Sequence, residues 1–375
     1  MKKVLLTATV QSHIAQFHKP LVKMLHDHEY EVHVAARNNL AEKNGFSIDF
    51  VDKVFDIPFA RSPKSFDNVK AYIQLKKIID DGDYEVVHCN TPMGGIVTRL
   101  AAIQARKNGT KVFYTAHGFH FFKGASKKNW IVFYPIERLM AHFCDTLITI
   151  TYEDYCLAKK KFSCNVEHIH GVGVYTDRYH PVSEEEILHM REAEGLTKED
   201  FVILCVGELN ENKNQKTLIT GAVQIKERIP KLKILLAGNG PKEGTLKEKI
   251  KELGLESQIK MLGYRTDLEM ITPAVDLVVS CSFREGLPLN ILEAELCKKP
   301  VIASINRGHR ELIVEGKTGY KVKADEVNAY VDRICKLYVD QSLAEVMGKN
   351  GYKVAQKYTA DAVYLEVQSV YGLKS

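Results

Sequence analysis

Short apolar runs that alternate with amphipathic segments constrain the fold of this 375-residue chain more than any other feature. In the first half the runs are KVLLTAT, EVHVAAR, EVVHCN, KVFYTAH and DTLITIT. Between the runs, apolar residues recur at helical spacing, as they do at Ile14, Phe17, Leu21 and Leu25. Strands that are apolar on both faces and separated by helices are typical of a parallel sheet covered on both sides. The pattern therefore predicts a doubly wound α/β domain.

The alternation stops around residues 171–200, a polar, acidic stretch with glycines and a proline, and then begins again. The second set of apolar runs is FVILCVGEL, KILLAGNG, IKMLGY, LVVSCS and PVIAS. We therefore predict two Rossmann-like, doubly wound domains that face each other across a cleft, with ligand bound at the carboxyl ends of the strands. The predicted boundaries are 1–170 for the first domain, 171–356 for the second, and 357–375 for a C-terminal helix that returns to the first.

Composition and motifs exclude several classes of function. The eight cysteines are scattered without ligand spacing, which indicates thiols in a reducing compartment and predicts neither disulfides nor a zinc site. MKKVLLTATV lacks a cleavage site and is interpreted as a first strand, and no apolar stretch is long enough to span a bilayer. No phosphate-binding P-loop motif is present, and the acidic DGD at 81–83 is interpreted as a solvated turn. We expect a cytoplasmic protein without a metal or other cofactor.

Basic and aromatic residues are concentrated between Glu85 and Glu137, a stretch without any acidic residue. The cations are Arg99, Arg106, Lys107, Lys111, Lys123, Lys127 and Lys128, and Trp130 and several phenylalanines lie among them. This combination is typical of an anionic membrane surface, although a solvated face over core aromatics explains it equally well. No nucleic-acid-binding motif accompanies the stretch, so nucleic acid is not an expected partner.

The stretch SFREGLPLNILEAELCKKPVIAS at 282–304 carries two carboxylates, Glu285 and Glu293, around a predicted helix start. Pro288 suits the first helical position, and leucines at 289, 292 and 296 define the face expected to pack on the sheet. The free N–H groups of such a helix start form an anion site, which Gly286 allows a ligand to approach closely. Anion site and hydroxyl-binding carboxylates together fit a sugar nucleotide. The spacing fits a second interpretation equally well, in which Glu285 is an acidic residue favoured at the helix start by the helix dipole and Glu293 is a surface residue.

Several motifs in one order resemble the family 4 retaining glycosyltransferases, which share the GT-B fold of two Rossmann-like domains. EGLPLNILEA resembles the E-x7-E signature of that family, and VGELNENKN its strand-turn motif ending in lysine. LLAGNGP, LGYRTDL, EGKTGYKV, the histidine motif YTAHGFHFF and the linker HGVGVYTDRY follow in the expected places. The resemblance covers nearly the whole chain and is closest to bacterial exopolysaccharide and capsule enzymes.

The resemblance implies a role for each matching residue. Glu293 would hold the ribose, Glu285 the hydroxyls of the donor sugar, and Lys213 the diphosphate. His117 would reach the transferred sugar near its anomeric carbon. The remaining donor-side residues are Gly207, Glu208, Tyr264, Arg265, Gly286, Leu287, Leu289 and Asn290. The acceptor or membrane side would comprise His13, His120, Lys123, Lys127 and Lys128.

The implied reaction is metal-independent transfer of a hexose or N-acetylhexosamine, with retention, from a uridine diphosphate sugar to a lipid-linked saccharide. The enzyme would work peripherally at the inner face of the plasma membrane. Two departures stand out: Glu208 occupies a position where the family commonly has arginine, and the loop TATVQSHIAQFH lacks the usual double glycine. A sugar-nucleotide epimerase on the same scaffold and a non-catalytic partner in a polysaccharide assembly complex remain alternatives.

Overall fold

The computed structural model describes residues 2–42 and 46–373. Its strands are β1 Lys2–Val10, β2 Tyr30–Arg37, β3 Lys53–Asp56, β4 Val86–Asn90, β5 Lys111–Ala116, β6 Thr146–Thr149, β7 Asn165–His168, β8 Phe201–Val206, β9 Leu232–Ala237, β10 Ile259–Gly263, β11 Leu277–Ser280, β12 Val301–Ser304 and β13 Gly319–Val322. Its α-helices are α1 Gln11–Phe17, α2 Lys19–Asp27, α3 Asp67–Gly82, α4 Pro92–Ala101, α5 Ile103–Lys107, α6 Lys127–Met140, α7 Tyr152–Lys161, α8 Glu184–Ala193, α9 Gln215–Arg228, α10 Glu243–Glu252, α11 Leu268–Ile271, α12 Leu289–Leu296, α13 Arg307–Leu312, α14 Val327–Val339, α15 Gln341–Ala355 and α16 Ala360–Tyr371.

The chain divides into two compact units. Unit 1 comprises Met1–Gly173 with Ala360–Ser375, and unit 2 comprises Val174–Thr359. The predicted boundaries after residues 170 and 356 lie three residues before these. Helix α16 belongs to unit 1, where the Tyr371 hydroxyl lies 2.7 Å from His88 Nδ1. No helix within the described residues is long and apolar enough to cross a bilayer.

Each unit is built on one parallel sheet. Among the described residues, the unit 1 sheet has seven strands in the order β3-β2-β1-β4-β5-β6-β7, and the unit 2 sheet has six in the order β10-β9-β8-β11-β12-β13. In both sheets the chain reverses its direction of winding beside the first strand, between β1 and β4 and between β8 and β11. Ligands of doubly wound proteins bind at such switch points, outside the carboxyl ends of the strands.

The core of unit 2 shows why its strands are apolar on both faces. Ile203 and Val279 contribute to one hydrophobic cluster, whereas Val202 and Val278 contribute to another. Successive side chains of a strand point to opposite faces, so Val202 and Ile203 of β8, and Val278 and Val279 of β11, are buried on both faces of the sheet. Helices therefore cover both faces, as the sequence pattern predicts, and the loops at the carboxyl ends of the strands are left to carry function.

Candidate functional site

The loops that follow β8 and β11 meet at the switch point of unit 2. Phe283 donates a backbone hydrogen bond to the carbonyl oxygen of Asn212 (2.8 Å), and the Asn212 side chain donates to the carbonyl oxygen of Arg284 (2.9 Å). Asn214, which adopts a left-handed backbone with φ of 52°, donates from its side chain to Cys281 and Ala324. These bonds hold the two loops in register, so side chains 72 residues apart in the sequence become neighbours.

Lys213 and Glu285 form an ion pair between these loops. The Lys213 ammonium lies 2.7 Å from Glu285 Oε1, and the two side chains are 24% and 13% exposed. Lys213 is positioned by Asn210, whose side-chain oxygen accepts from the Lys213 backbone N–H at 2.9 Å. The structure thus brings together two residues to which the family resemblance gives roles at the diphosphate and the sugar.

Glycines allow the loops of unit 2 to stack closely on one another. Gly207 has φ of 153°, and a Cβ there would lie 3.1 Å from the aliphatic chain of Lys213. Gly238 has φ of 143°, and a Cβ there would lie 2.1 Å from the Gly207 carbonyl oxygen, which no side chain can tolerate. The glycine of the GNGP loop therefore serves backbone packing under the Lys213 loop.

Helix α12 begins one residue later than predicted. Pro288, with φ of −78° and ψ of 113°, is the N-cap, and Leu289 is the first helical residue. Leu289 and Leu287 are only partly buried against the core, so the predicted leucine face is shifted toward Ile291, Leu292 and Leu296. The first turn of α12 still presents free backbone N–H groups beside the 285–288 loop.

Asn290 lies in the first turn of α12 and lacks an internal partner. Its Nδ2 atom is buried and makes no hydrogen bond to any described residue. A buried amide donor without a partner costs free energy, which a bound ligand with an acceptor oxygen can recover. In the preceding loop, the carbonyl oxygen of Gly286 would lie 2.5 Å from a Cβ on Gly308. The backbone of the loop at Gly286 therefore packs directly against Gly308 of α13.

Glu293 belongs to a second group of charged residues in unit 2. Burial raises the pKa of Glu293 to about 7, and the opposing attraction of Arg178 and a hydrogen bond with Tyr179 limit the rise. Arg178 is itself paired with Glu269 at 2.7 Å. Arg178, Tyr179 and Glu269 were not predicted from the sequence. The first two lie within the linker motif HGVGVYTDRY, which is the signal that could have revealed them.

Tyr264 and Arg265 follow the carboxyl end of β10. The Tyr264 side chain is exposed, whereas the Arg265 guanidinium is held by Asp267 at 2.7 Å and by Glu194 at 2.8 Å. Its positive charge is therefore compensated within this cluster. Glu208, at the end of β8, is exposed and accepts a hydrogen bond from the Asn210 side chain at 3.0 Å.

Arg307 adds a cation that was not predicted from the sequence. It opens α13, is 2% exposed, and places Nη2 3.5 Å from the carbonyl oxygen of Glu285. The neighbouring His309 is buried, and its Nδ1 atom lies 2.9 Å from the Asn306 side-chain nitrogen and 2.7 Å from the Ser304 carbonyl oxygen. Burial lowers the pKa of His309 to about 4. The sequence feature that could have pointed to Arg307 is the cation-rich stretch RGHREL, which follows a strand and precedes EGKTGY.

At the switch point of unit 1 the structure places His13 and His117 together. His13 Nε2 lies 3.2 Å from His117 Nε2, which in turn lies 3.0 Å from the side-chain oxygen of Asn90 at the end of β4. Burial lowers the pKa of His117 to about 4 and the pKa of His13 well below its usual value, so both imidazoles are neutral near pH 7. Position 117 directly follows β5, as predicted, and His13 comes from α1.

His18 completes this cluster and was not predicted. It lies between α1 and α2, and one ring nitrogen of each of His13, His18 and His117 lies within 4.8 Å of one ring nitrogen of each of the others. Within the described residues, no other group of three or more histidine, cysteine or carboxylate side chains has ligand spacing. The spacing HIAQFH offered a weak signal, because residues five apart do not share one face of a straight helix.

The cations of the basic stretch separate into buried and exposed sets. Arg99 is 1% exposed and pairs with Glu137 at 3.0 Å, and Arg106 pairs with Asp145. Arg99 is therefore structural, which corrects its place in the predicted surface, whereas Arg106 is partly exposed. Lys123, Lys127 and Lys128 are exposed. His120 stacks on Phe133 of α6 with ring centroids 4.5 Å apart, which fixes it beside that helix.

Helix α6 carries an apolar stripe that faces solvent. Ile131 and Leu139 are 74% and 60% exposed, and Val132 and Ile136 are exposed as well. These positions follow helical spacing, whereas Trp130, Phe133 and Tyr134 point into the core. The exposed lysines at 127 and 128 begin the same helix.

Two family models match this chain. One, described as glycosyl transferases group 1, matches residues 187–354, and the other, described as glycosyl transferase 4-like, matches residues 3–151. The chain is 42% identical over 373 residues to a protein of Bacillus subtilis (strain 168) named "Putative glycosyltransferase EpsD", which covers 99% of this chain and 96% of that protein.

A more distant relative and a solved structure extend the comparison. The UDP-Gal:alpha-D-GlcNAc-diphosphoundecaprenol alpha-1,3-galactosyltransferase of Escherichia coli is 27% identical over 84% of this chain and 82% of its own length. The structure of Anabaena Alr3699/HepE in complex with UDP has a TM-score of 0.78 at 20% identity, over 99% of this chain and 100% of that one. That likeness shows the GT-B fold. With nearly full coverage of a 42% identical relative, the chain belongs to the family 4 glycosyltransferases.

Proposed function

We propose that this glycosyltransferase moves a hexose or an N-acetylhexosamine from a nucleotide diphosphate sugar, with uridine as the base, to a lipid-linked saccharide, with retention and without a metal. The observation that carries the proposal is the Lys213–Glu285 pair at the switch point of unit 2. One partner is a cation suited to diphosphate, and the other is a carboxylate suited to sugar hydroxyls. The relatives support the choice of ligands, because one is named for UDP-galactose and a diphosphoundecaprenol acceptor and another was solved with UDP.

The diphosphate would be held by Lys213 and by the first-turn N–H groups of α12. A cation and a helix start both favour negative charge, and the charge on the leaving diphosphate grows in the transition state. Buried Arg307 lies behind the Glu285 backbone and adds positive potential at this place. This arrangement accounts for how the site manages with Glu208 where the family commonly has arginine.

The nucleoside would be held farther along the same unit. Glu293 would accept hydrogen bonds from the ribose hydroxyls, with Tyr264 and Arg265 beside the base. Because burial raises its pKa to about 7, Glu293 needs a ligand that stabilises its charged form. Two ribose hydroxyls that donate hydrogen bonds do this. The neighbouring Arg178 favours the charged carboxylate and so limits the rise in the pKa of Glu293.

In the reaction, the bond between the anomeric carbon and the diphosphate oxygen breaks, and the acceptor hydroxyl attacks on the same face. The departing phosphate oxygen takes the proton of the attacking hydroxyl, so no protein nucleophile is required. Glu285 would hold sugar hydroxyls, and neutral His117 would hydrogen-bond the transferred sugar. An oxocarbenium-like transition state makes stabilisation of the leaving group the main task.

The acceptor would be presented at an anionic membrane surface on the cytoplasmic side. The exposed stripe of α6 (Ile131, Val132, Ile136 and Leu139) and the adjacent lysines (Lys123, Lys127 and Lys128) combine apolar area with positive charge. Each lysine near such a surface contributes about 1 kcal/mol, and the contribution decreases with salt. The exposed apolar residues of α6 therefore support the membrane proposal, which the sequence based on the basic residues and their aromatic neighbours.

A thermal-shift panel of UDP-, GDP- and ADP-sugars tests the choice of donor. A ligand present at 100 times its dissociation constant stabilises the folded protein by about 2.7 kcal/mol, since it binds only that state. We expect a clear rise in melting temperature with UDP-sugars and a smaller rise with the others. A larger rise with GDP- or ADP-sugars would reassign the base, and no rise with any of them would contradict donor binding.

A further inference from the structure

His13, His18 and His117 are arranged as a potential metal site in unit 1. Each offers one ring nitrogen, and these nitrogens lie within 4.8 Å of one another. In tetrahedral zinc sites, Zn–N distances of about 2.0–2.1 Å place neighbouring nitrogens roughly 3.3 Å apart. The 3.2 Å separation between the Nε2 atoms of His13 and His117 already satisfies this spacing. The His18 nitrogen lies no more than 4.8 Å from each of the other two.

A second observation points to a ligand at this place. His18 is 4% exposed, and its Nε2 atom makes no hydrogen bond to any described residue. In contrast, both ring nitrogens of the buried His88 in the same unit have partners, the Tyr371 and Thr115 hydroxyls, each at 2.7 Å. The buried Nε2 atom of His18 is therefore left without a partner among the described residues.

The chemistry of the donors selects the ion. Three neutral imidazoles without a carboxylate or thiolate suit zinc and its first-row neighbours and do not suit magnesium or calcium, which prefer oxygen. We infer that the three histidines bind a zinc-type ion in unit 1, with a fourth position open to water. Binding would require His117 to carry its proton on Nδ1, so that Nε2 faces the ion instead of donating to Asn90.

The consequence for activity rests on the proposed function. If His117 and His13 serve the transferred sugar and the acceptor, an ion that occupies their nitrogens removes them from those roles. Zinc would then inhibit transfer, and chelation would restore it. The ion is thus an inhibitory ligand of this site and is not required by the reaction.

Metal binding is tested without donor or acceptor, so its outcome is independent of the proposed function. The full chain, stripped of metal and kept reduced, is titrated with Zn²⁺ by calorimetry and with Co²⁺ by visible absorption. We expect one ion per chain and the absorption of four-coordinate Co²⁺ without a thiolate charge-transfer band. A thiolate band would assign the ion to cysteines, and the absence of binding would overturn the inference.

The variants His13→Gln and His18→Gln should each weaken Zn²⁺ binding by roughly 10–100-fold or more, the loss seen when even an outer-shell partner of a metal ligand is removed. His189→Gln, which changes an exposed histidine of unit 2, is the matched control and should bind as the wild type does. Equal binding by all three variants would refute the assignment. If a variant fails to fold, ring ¹⁵N spectra of the wild type still decide, because Zn²⁺ must shift three imidazoles and no others.

Discussion

Removing the Lys213 ammonium tests both the donor site and its structural pairing. In Lys213→Ala the diphosphate loses its main cation, and Glu285, which is 13% exposed, loses its ion-pair partner at 2.7 Å. The substitution therefore has two separate effects. One is on the transition state for transfer, and the other is on the stability of unit 2.

The magnitudes differ and can be measured apart. A preorganised charged donor to the developing leaving-group charge contributes about 3 kcal/mol, so kcat should decrease by roughly 10²-fold. For stability, an attraction of about 4 kcal/mol at an effective dielectric constant of 20 is largely offset by desolvation of both groups. We expect a net loss of about 1–2 kcal/mol, which corresponds to roughly 2–8 °C for a unit of 150–250 residues.

The assay measures transfer from labelled UDP-sugar together with calorimetric affinity for UDP and for uridine. Lys213→Ala should weaken UDP binding and leave uridine binding unchanged, since uridine has no phosphate. Lys216→Ala is the matched control, because it removes an exposed lysine three residues away on α9. The double variant Lys213→Met, Glu285→Gln should recover the stability but not the activity.

Two results would refute this reasoning. Wild-type turnover in Lys213→Ala would show that the diphosphate is neutralised elsewhere. A loss of uridine affinity equal to the loss of UDP affinity would show that the substitution distorts the whole site and not the phosphate contact.

Further predictions concern the carboxylates, the membrane surface and the buried arginine. Glu285→Gln should lower transfer and leave UDP affinity nearly intact by calorimetry, whereas weakened UDP binding alone would mean that the two carboxylates have been exchanged. Because burial raises the pKa of Glu293 from 4.5 to about 7, the folded state binds the extra proton, and stability decreases as pH rises from 4.5 to 7. Glu293→Gln should therefore raise the melting temperature at pH 8, because it removes a penalty of roughly 3 kcal/mol, and should change it little at pH 4.5. The same variant should weaken UDP binding. A change in melting temperature that does not depend on pH would contradict the raised pKa as its cause. Changing Lys123, Lys127 and Lys128 beside α6 to glutamate should abolish co-sedimentation with anionic vesicles at low salt, and Leu139→Asp should weaken it. Changing the exposed lysines of α7 to glutamate should leave binding intact (Lys159, Lys160 and Lys161). If the wild type does not bind, the surface is a solvated face. Arg99→Ala should cost about 3–5 kcal/mol in chemical denaturation because it leaves Glu137 buried and unpaired, and an unchanged midpoint would show that the pair is not structural.

The sequence predicts the central strands better than the edges. Buried strands such as β1 and β8 are continuous apolar runs, which the sequence analysis gives as KVLLTAT and FVILCVGEL. The strands β3, β7 and β13 were missed, and all three lie at sheet edges. An edge strand has one unpaired side and more solvent, so its residues need not be apolar, as KVFD of β3 shows. The predicted GT-B fold and family are confirmed by the matches.

Side-chain partnerships were less accessible to sequence reasoning. The order of motifs indicated that Lys213 and Glu285 are important, but only the strand order shows that their loops adjoin at the switch point. Periodicity could not reveal Arg307 or His18, because each is defined by contacts with distant residues. Burial of Glu295 was also unforeseen: it is fully buried, and burial raises its pKa well above the ordinary value.

Product stereochemistry tests the central proposal most directly. The purified protein would be incubated with the UDP-sugar that gives the largest thermal shift and a short-chain polyprenyl diphosphate saccharide as acceptor. The configuration of the new linkage is then determined by NMR and compared with that of the donor. Our account predicts a transferred sugar that keeps the anomeric configuration of the donor, with UDP released in equal amount. An inverted linkage would contradict the same-face mechanism, and conversion of the UDP-sugar without any transfer would favour the epimerase.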